Sequence, residues 1–570
     1  MRRILLSMFV MLVSVSQLLA SDWSNSGGGP ERNGRSREVG PNSFTPLWSG
    51  APSSVISWQP VTEGNRVFMV RQTGFPSSGE PNGSPVIAKD LTTGAPLWTV
   101  NIPFNTGDWT TWIAGVKDGR VYCSRSGNGG SVSAKLHCLD AATGATLWVS
   151  QESQNVGAYD GVVFAPDGDP ILGSYTRIWR INSTDGTTVW STPRTGSVSG
   201  HCGVCLAGTA VYSCDVVPGG QAIKRFDLNT GVLQYTGPTM AGFLLQNTPM
   251  AGPTGEVYLS RVQNNASVDY FFAFEDTGSG FVQLWNAPAA YSTWSEFAVG
   301  HDNSVYMFAP GNILERRDGR TGTLINSFGP VIADQPLAPR FALDAVGRVY
   351  FSNGGFANGR IYAFDHDLTL RGFIAVTNVN IGGPVLGQGG VLLVSGTGTD
   401  VRAFRTTNTI VPGCFGDGST VACPCNNQGV IGRGCANSQV NSQGALLMAD
   451  GDPGNDNVRL EASGMLPTAL CIFLQGSLPL SSSFVFGDGL RCAGGQLLRL
   501  AVKNGVNGTA RYPEQSELSI RDRNTQLGFP IGPGASTIYQ TYYRDPVLGF
   551  CPNPPGNSWN VTNSLLVNWP

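Results

Sequence analysis

A short turn motif that recurs along the chain constrains its fold more than any other feature of the sequence. Two close copies begin at Asp90 and Asp140 and read Asp-x-x-Thr-Gly-Ala-x-Leu-Trp. An Asp side chain closes such a turn by accepting hydrogen bonds from the backbone just after it, and Gly adopts the left-handed conformation without steric cost. The Trp then begins the next strand. We expect it to be buried, because a buried Trp removes about 150–250 Å² from water.

The motif and its weaker copies mark out repeating units of 40 to 50 residues. A strand with a Val-aromatic pair, such as Val121-Tyr122, precedes most copies, so each unit holds at least three strands. A four-stranded propeller blade needs about 40–45 residues or somewhat more. Eight copies predict eight blades, with seven blades or another blade class as the alternatives. The turn residues predicted to be structural are Trp48, Asp90, Gly94, Trp98, Asp140, Gly144, Trp148, Gly186, Trp190, Asp227, Gly231, Trp285, Asp318 and Gly322.

A short segment near the N-terminus predicts how the ring closes. Phe44-Thr-Pro-Leu-Trp48 resembles Ala95-Pro-Leu-Trp98 but has no blade before it, and the last copy, at 403–405, lacks an outer strand. We therefore predict that residues 44–50 supply that strand, which buries the sheet edges that an open array would expose. The predicted fold class is all-β, with an eight-bladed propeller at 44–410 and a disulfide-bonded β-sandwich after it.

These repeats resemble the quinoprotein-like propeller repeat, in which a Val-Tyr strand precedes Leu-Asp-x-x-Thr-Gly and Leu-Trp. The resemblance covers residues 44–408 and implies a family that includes quinoprotein alcohol dehydrogenases and a non-enzymatic outer-membrane assembly propeller. The dehydrogenases would imply pyrroloquinoline quinone, Ca²⁺, a catalytic Asp and a disulfide between adjacent cysteines. This chain has no adjacent cysteine pair, and Cys202 and Cys205 come nearest to one. We therefore expect no cofactor and assign no catalytic residue.

The N-terminal residues are typical of an export signal. Arg2 and Arg3 precede an apolar run at 4–15, and small residues follow at 20–21. This pattern predicts a signal peptide at 1–20, with a retained anchor as the alternative. We expect residues 21–43 to be a linker. Because no later segment approaches the roughly 18 apolar residues of a membrane span, we expect a secreted, periplasmic or cell-surface protein without a transmembrane anchor.

A second domain is predicted at 411–570, where a cysteine-rich stretch is followed by alternating strands and Gly-rich turns that are typical of a β-sandwich. This part resembles a C-terminal module of large secreted proteins of planctomycete-type bacteria, and that module has no established activity to carry over. The resemblance implies three disulfides, with the pairing left open, and leaves Cys471 unpaired and buried. The six cysteines of the set are Cys414, Cys423, Cys425, Cys435, Cys492 and Cys551.

Two patterns in the second domain have a metal site as an alternative. Zinc could bind the first four of its cysteines, but oxidation to disulfides is the default outside the cell and the paired two-residue gap of zinc sites is missing. Asp450, Asp452 and Asp456 carry oxygen atoms that could hold Ca²⁺. The closing bidentate Glu of a helix-loop-helix calcium loop is missing, which favours a solvated turn.

Five cysteines lie in the propeller. Cys123 and Cys138 flank the turn between two strands of one blade, and we predict a disulfide between them. Cys202, Cys205 and Cys214 are expected to form one pair and to leave one free thiol, because the total is odd.

The composition bears on the partners. Charged residues make up 13% of the chain and the formal net charge is −3, which argues against nucleic acid or an anionic membrane surface as a partner. We therefore hypothesise a non-catalytic, monomeric interaction protein whose propeller face docks a protein or a glycan. A quinone-dependent or other enzyme that uses the central funnel and a structural cell-surface protein are the alternatives.

Overall fold

The secondary structure of this chain is almost entirely β. The computed structural model describes residues 22–74, 84–102, 108–126, 132–156, 161–196, 202–241, 248–263, 269–290, 297–331, 340–354, 359–377, 379, 382–419, 421–547, 549–551 and 558–570. Besides strands, these ranges contain the short α-helix Ile520–Gln526 and the 3₁₀ turns Gln388–Gly390 and Pro453–Asn455. Among the described helices none is long and apolar enough to cross a membrane. The predicted all-β class is confirmed, and the predicted signal peptide at 1–20 lies outside the described residues.

The repeated part of the chain folds into antiparallel sheets, which we number as blades in chain order. Blade one contains Val61–Glu63, Arg66–Val70, Ser84–Asp90 and Pro96–Ile102. Blade two contains Thr110–Lys117, Arg120–Ser126, Ala134–Asp140 and Thr146–Gln154. Blade three contains Val163–Phe164, Pro170–Gly173, Arg177–Ile181 and Thr188–Pro193. Blade four contains Cys205–Ala207, Ala210–Val217, Gly220–Asp227 and Leu233–Thr236, with Met240–Ala241 as an added strand.

The later blades repeat this order of strands. Blade five contains Met250–Ala251, Glu256–Gln263, Asp269–Asp276 and Phe281–Ala289. Blade six contains Ala298–Val299, Ser304–Ala309, Ile313–Asp318 and Leu324–Phe328. Blade seven contains Arg340–Leu343, Val349–Gly354, Gly359–Phe364 and Leu370–Ala375. Blade eight contains Val385–Gly387, Val391–Ser395, Val401–Phe404 and, from the other end of the propeller, Pro46–Ser49.

The strand Pro46–Ser49 lies at the outer edge of blade eight. It pairs antiparallel with Val401–Phe404, with Trp48 opposite Ala403 and Ser49 opposite Arg402. The first strand of the propeller therefore completes the sheet of its last repeat.

Indole side chains connect most blades to the next. The indole N–H donates to a turn carbonyl of the following blade at 2.7–3.0 Å from Trp48 to Leu91, Trp98 to Ala141, Trp148 to Ser183, Trp190 to Leu228 and Trp285 to Gly319. The indole ring lies directly on the turn glycine, because a Cβ there would come within 2.5–2.8 Å of the Trp at Gly94, Gly144, Gly186, Gly231 and Gly322. In blade four Tyr235 takes the Trp position, and its hydroxyl donates to Asp276 of blade five.

The turn itself forms as the motif predicts. The carboxylate of Asp140 accepts from the hydroxyl of Thr143 at 2.8 Å, from the N–H of Thr143 at 2.8 Å and from the N–H of Ala142 at 3.0 Å. The hydroxyl and N–H of Thr143 lower the pKa of Asp140. The same set of bonds to the backbone and to a Thr hydroxyl is made by Asp90, Asp227 and Asp318.

The Val-Tyr pairs of the second strands form the cores between blades. Tyr122, Tyr258, Tyr306 and Tyr350 are all fully buried, with at most 1% of the side chain exposed. The Tyr122 ring contacts Trp148 of its own blade at 5.8 Å and Phe164 of the next blade at 5.3 Å between centroids. Such aromatic pairs stabilise a fold by about 0.5–1.5 kcal/mol beyond their burial, so they add to the indole contacts.

The second domain consists of two sheets that pack face to face. The larger sheet has the order Ile410–Gly413, Ser564–Asn568, Ser536–Arg544, Leu470–Phe486 and Gly489–Asn504, with Trp559–Val561 paired to Ser536–Arg544. The smaller sheet has the order Leu446–Asp450, Arg459–Ser463 and Ala510–Tyr512. Phe473 and Tyr539 of the larger sheet share one buried cluster with Leu447 and Leu460 of the smaller one.

Three disulfides staple this domain. They join Cys414 to Cys492, Cys423 to Cys435 and Cys425 to Cys551. The six cysteines implied by the module are therefore all paired, the four of the zinc alternative included. Cys471 is buried and unpaired, as expected.

The predicted disulfide between Cys123 and Cys138 is not formed. In the sheet register Cys123 lies opposite His137, and Cys138 lies opposite Tyr122. Because side chains alternate between the two faces of a sheet, the two thiols point to opposite faces. Both cysteines are buried and free of disulfides.

The predicted pair among the other three propeller cysteines is also wrong, since none of them forms a disulfide. Cys205 lies opposite Tyr212, which places Cys214 two residues further along the partner strand. Such diagonal neighbours are about 7–8 Å apart, beyond the usual reach of a disulfide. The thiol of Cys202 donates to the carbonyl of Gly173 at 3.2 Å.

The indole contact predicts a difference between two glycine substitutions. Gly144 and Gly119 have φ of +76° and +74°, but a Cβ at Gly144 would lie 2.8 Å from the Trp98 ring, whereas a Cβ at Gly119 would meet no atom within 4 Å. Gly119→Ala should lower the free energy of unfolding by about 1–2 kcal/mol through backbone strain alone. Gly144→Ala should lower it by about 1–3 kcal/mol more, through the steric clash. Thermal and denaturant unfolding would measure both, and equal losses would contradict the indole contact.

Candidate functional site: the strapped channel mouth and the domain joint

Residues Asp22–Gly40, hereafter the inner strap, lie along the inner strands of the blades. The predicted linker at 21–43 is therefore wrong, because a linker would be exposed to solvent. Trp23, Asn25, Arg32 and Asn33 are buried, with at most 3% exposed. Main-chain and polar side-chain groups of this segment form hydrogen bonds with many strands.

The strap begins at blades one and two. The N–H of Thr62 donates to the carbonyl of Trp23 at 2.9 Å, and the N–H of Val116 donates to the carbonyl of Ser24 at 2.8 Å. Gly27 and Gly28 then reverse the chain with φ of +88° and +92°. A side chain at Gly28 would meet the Trp23 ring at 3.3 Å, so the turn packs tightly on the indole.

After this turn the strap passes the remaining blades in order. Inner-strand N–H groups donate to strap carbonyls at 2.7–3.0 Å in the pairs Leu206 to Pro30, Ala251 to Glu31, Val299 to Asn33 and Leu343 to Gly34. These donors belong to blades four, five, six and seven. The Ser36 hydroxyl then donates to the carbonyl of Leu386 in blade eight at 3.4 Å.

Arg32 connects the strap to the part of the ring that the main chain does not reach. Its guanidinium donates to the carbonyls of Gly161, just before the inner strand of blade three, at 3.0 Å and of Val204 at 2.7 Å. A third bond goes to Ser26 of the strap itself at 3.0 Å. The strap therefore contacts the inner strand, or the residues beside it, in every blade.

The strap ends at a joint between the propeller and the second domain. Val39 lies in one buried apolar cluster with Val346 of blade seven and with the core of the second domain. The N–H of Gly40 donates to Asp344 at 3.0 Å, and Arg348 donates to the Gly40 carbonyl at 3.1 Å.

Buried charges form the polar half of this joint. Arg316 of blade six contacts Asp302 at 2.6 Å and Glu461 of the second domain at 3.1 Å. Arg511 also binds Glu461. Burial alone would raise the pKa of Glu461, but Arg316 and the neighbouring His366 hold it well below its ordinary value, so Glu461 is a carboxylate.

His366 of blade seven binds two carboxylates of the second domain. Its Nδ1 contacts Asp450, and its Nε2 lies 3.2 Å from Glu461. Burial alone would lower the pKa of His366, but Asp450 and Glu461 raise it to about 10. The imidazole is therefore protonated at neutral pH, and it belongs to an ionic network with Arg316, Arg511 and the carboxylates of Asp302, Asp450 and Glu461.

His301 joins the strap to the same region. The Nε2 atom of His301 lies 3.1 Å from the carbonyl oxygen of Ser36. The guanidinium of Arg433, in the second domain, donates to the backbone carbonyl of His301. Burial, followed by the charge of Arg35, lowers the pKa of His301 to about 3. The ring is thus neutral and donates from Nε2.

The weak calcium candidates are not brought together. Asp450 binds His366, Asp452 accepts from the N–H of Gly454 at 2.7 Å, and Asp456 accepts from the Ser519 hydroxyl at 2.7 Å. In the part of the chain that the structure describes, no group of three or more potential metal ligands occurs. Sequence reasoning assigned no role to His366 and Glu461, because their partners lie far away in the sequence.

Comparison with known proteins agrees with the repeat. Residues 82–325 match the sequence profile of a family described as outer membrane protein assembly factor BamB. This match, together with the paired cysteines of the second domain, confirms the predicted resemblance to quinoprotein-like repeats and to a disulfide-stapled module. No curated protein sequence matches the chain.

Solved structures with similar folds are distant in sequence. BamB from Moraxella catarrhalis is 16% identical with a TM-score of 0.44, covering 64% of this chain and 98% of its own. The quinohemoprotein alcohol dehydrogenase from Comamonas testosteroni is 12% identical with a TM-score of 0.48, covering 68% and 81%. A europium-containing methanol dehydrogenase is 11% identical with a TM-score of 0.44, covering 68% and 98%.

The charged joint predicts an alkaline loss of stability. The folded pKa of His366 lies above its ordinary value of 6.5, so its contribution is complete below about pH 6.5 and is lost as the pH rises through about 10. His366→Gln should cost about 3–5 kcal/mol at pH 6, because it leaves buried carboxylates without their cation. The variant should also lose much of the decrease in melting temperature between pH 7 and pH 10.

His137→Gln is the matched control, since His137 is a half-buried imidazole of blade two that lies outside the joint. Its pH profile of melting temperature should follow that of the wild type. A wild-type profile that is flat up to pH 10, or a His366→Gln profile with the same slope, would contradict a protonated His366.

Proposed function

We propose that this protein is a non-catalytic docking protein of the extracytoplasmic space, in which the propeller and its second domain present one rigid surface to a partner. Disulfides form and persist in oxidising compartments, and three of them staple the second domain. The joint fixes that domain to blades six and seven through His366, Arg316 and Glu461.

The inner strap is the observation that carries this proposal. In a propeller enzyme the central funnel must admit a substrate. Here the chain's own residues 22–40 occupy the mouth of the channel on the side of the Asp-x-x-Thr-Gly turns, and inner-strand N–H groups of six blades are used to hold them. The second domain sits at the same side. This arrangement favours a scaffold over a reaction chamber.

The quinone cofactor that the family resemblance implies does not fit the residues present. The nearest equivalents of its adjacent cysteines, Cys202 and Cys205, are buried and form no disulfide. Burial raises the pKa of the Cys205 thiol far above its ordinary value, so this thiol is unreactive.

The outer strands are the surface that we propose for docking. They form the sheet edges of the ring, and apolar side chains seven residues after the turn Asp or Asn are exposed there by 40–49%: Leu97, Leu147, Val189 and Ile325. Single exposed apolar residues are ordinary on a protein surface, but these four recur at the same position of blades one, two, three and six. Unpaired strand edges with apolar neighbours are typical of protein-binding surfaces.

A paired-variant experiment tests this docking surface. Leu97→Lys with Leu147→Lys places two charges on the outer strands, and Val440→Lys with Val506→Lys places two charges on residues of the second domain that are 92% and 72% exposed. All four sites are exposed, so melting temperatures should stay within a few degrees of the wild type. Quantitative capture from the envelope fraction should recover a partner with wild type and control, and at least about tenfold less of it with the outer-strand variant.

Two results would contradict the proposal. One is equal recovery of every captured protein by the two variants. The other is dye-coupled alcohol oxidation by the purified protein after incubation with pyrroloquinoline quinone and Ca²⁺, which would assign the channel to catalysis.

A further inference from the structure

We propose that the channel mouth is a binding site for an extended peptide, and that the inner strap is a ligand that fills it in cis. The observation behind this proposal is that backbone N–H donors of six blades converge on one segment of the chain. The N–H groups of Thr62, Val116, Leu206, Ala251, Val299 and Leu343 come from six different blades, and all of them donate to carbonyls of one stretch, residues 23–34. Main-chain bonds of this kind give affinity in peptide recognition, while a few side chains give specificity.

Specificity in this site comes from an Arg-Asn-Gly triplet. Arg32 donates to the carbonyls of Gly161 and Val204, and the Asn33 amide donates to the carbonyl of Ala251 at 3.2 Å. At Gly34 φ is +76°, and a Cβ would lie 3.3 Å from Ala298. The site thus recognises three successive residues: the guanidinium of Arg32, the amide of Asn33 and a glycine at position 34.

The strap is held as a ligand is held, and it does not supply a strand to any blade. Each blade has its four strands without it. Trp23 and Val39 are the large apolar side chains that it buries. The connection from the strap to blade eight passes through Ser43, which is exposed. The strand pairing within each blade therefore does not include the strap, and its withdrawal would uncover the ring of N–H donors.

The ligand class follows from these contacts. The site takes an extended peptide segment that contains the sequence Arg-Asn-Gly. The strap of a second copy of this chain contains the same sequence. This inference concerns the channel mouth alone, so it stands or falls separately from the docking surface on the outer strands.

The test uses the full chain with a protease recognition sequence inserted between Ser43 and Phe44. The protein is folded and oxidised first and then cut, so that the ring forms with its own strap present. We expect the cut strap to co-elute with the ring in size-exclusion chromatography. We also expect a fluorescein-labelled peptide of residues 22–43 to exchange with it and to bind saturably, as followed by fluorescence anisotropy.

Two peptide variants make the outcome specific. The labelled peptide with Arg32→Ala should bind at least about tenfold more weakly, because it lacks buried bonds to two blades. The labelled peptide with Ser43→Ala, which changes an exposed residue at its end, should bind like the parent. The proposal is overturned if the parent peptide shows no saturable binding, or if Arg32→Ala binds equally well. It is also overturned if loss of the cut strap abolishes the near-ultraviolet circular dichroism of the ring, since the strap would then be an integral folding element.

Discussion

The contact between an indole and the turn of the next blade is the interaction on which the propeller depends. The contact has two parts, as between Trp98 and residues 141–144. The face of the indole ring packs on the turn glycine, and the indole N–H donates to a carbonyl of the same turn. Each contact joins nearest neighbours, so the stability of the ring is approximately a sum over its interfaces. Trp48 makes the same contact with blade one. The strand that completes blade eight therefore connects to its neighbour by the same contact as blades one, two, three and five.

The inner strap and the joint depend on one another through the end of the strap. Val39 and Gly40 leave the channel mouth and enter the apolar and polar halves of the joint. The position of the second domain is thus coupled to the seating of the strap. Protonated His366 gives the buried carboxylates of Asp450 and Glu461 a cationic partner, which avoids the large cost of an unpaired buried charge. A substitution in the strap would therefore alter the joint, and a substitution in the joint would alter the position of the strap.

The features that could be predicted from the sequence are those that depend on neighbouring residues in the chain. Turn, glycine and Trp positions recur in register, so the blade turns and the all-β class followed from them. The strap could not be found this way, because its partners are carbonyls and N–H groups whose positions exist only after the blades pack. His366 and Glu461 meet from separate domains. The predicted Cys123–Cys138 bridge was wrong because the sheet register, which spacing alone does not reveal, places the thiols on opposite faces.

The pairing of Trp48 with Ala403 joins the two ends of the propeller sequence. The strand Pro46–Ser49 and its partner Val401–Phe404 are separated by nearly the whole propeller. The entropic cost of closing so long a loop grows slowly with length, yet contacts between distant residues form slowly. Until then the indole of Trp48 and two sheet edges stay open to water. Before the ring closes, the chain is most vulnerable to aggregation at its two unpaired ends, and shielding by a chaperone would matter most there.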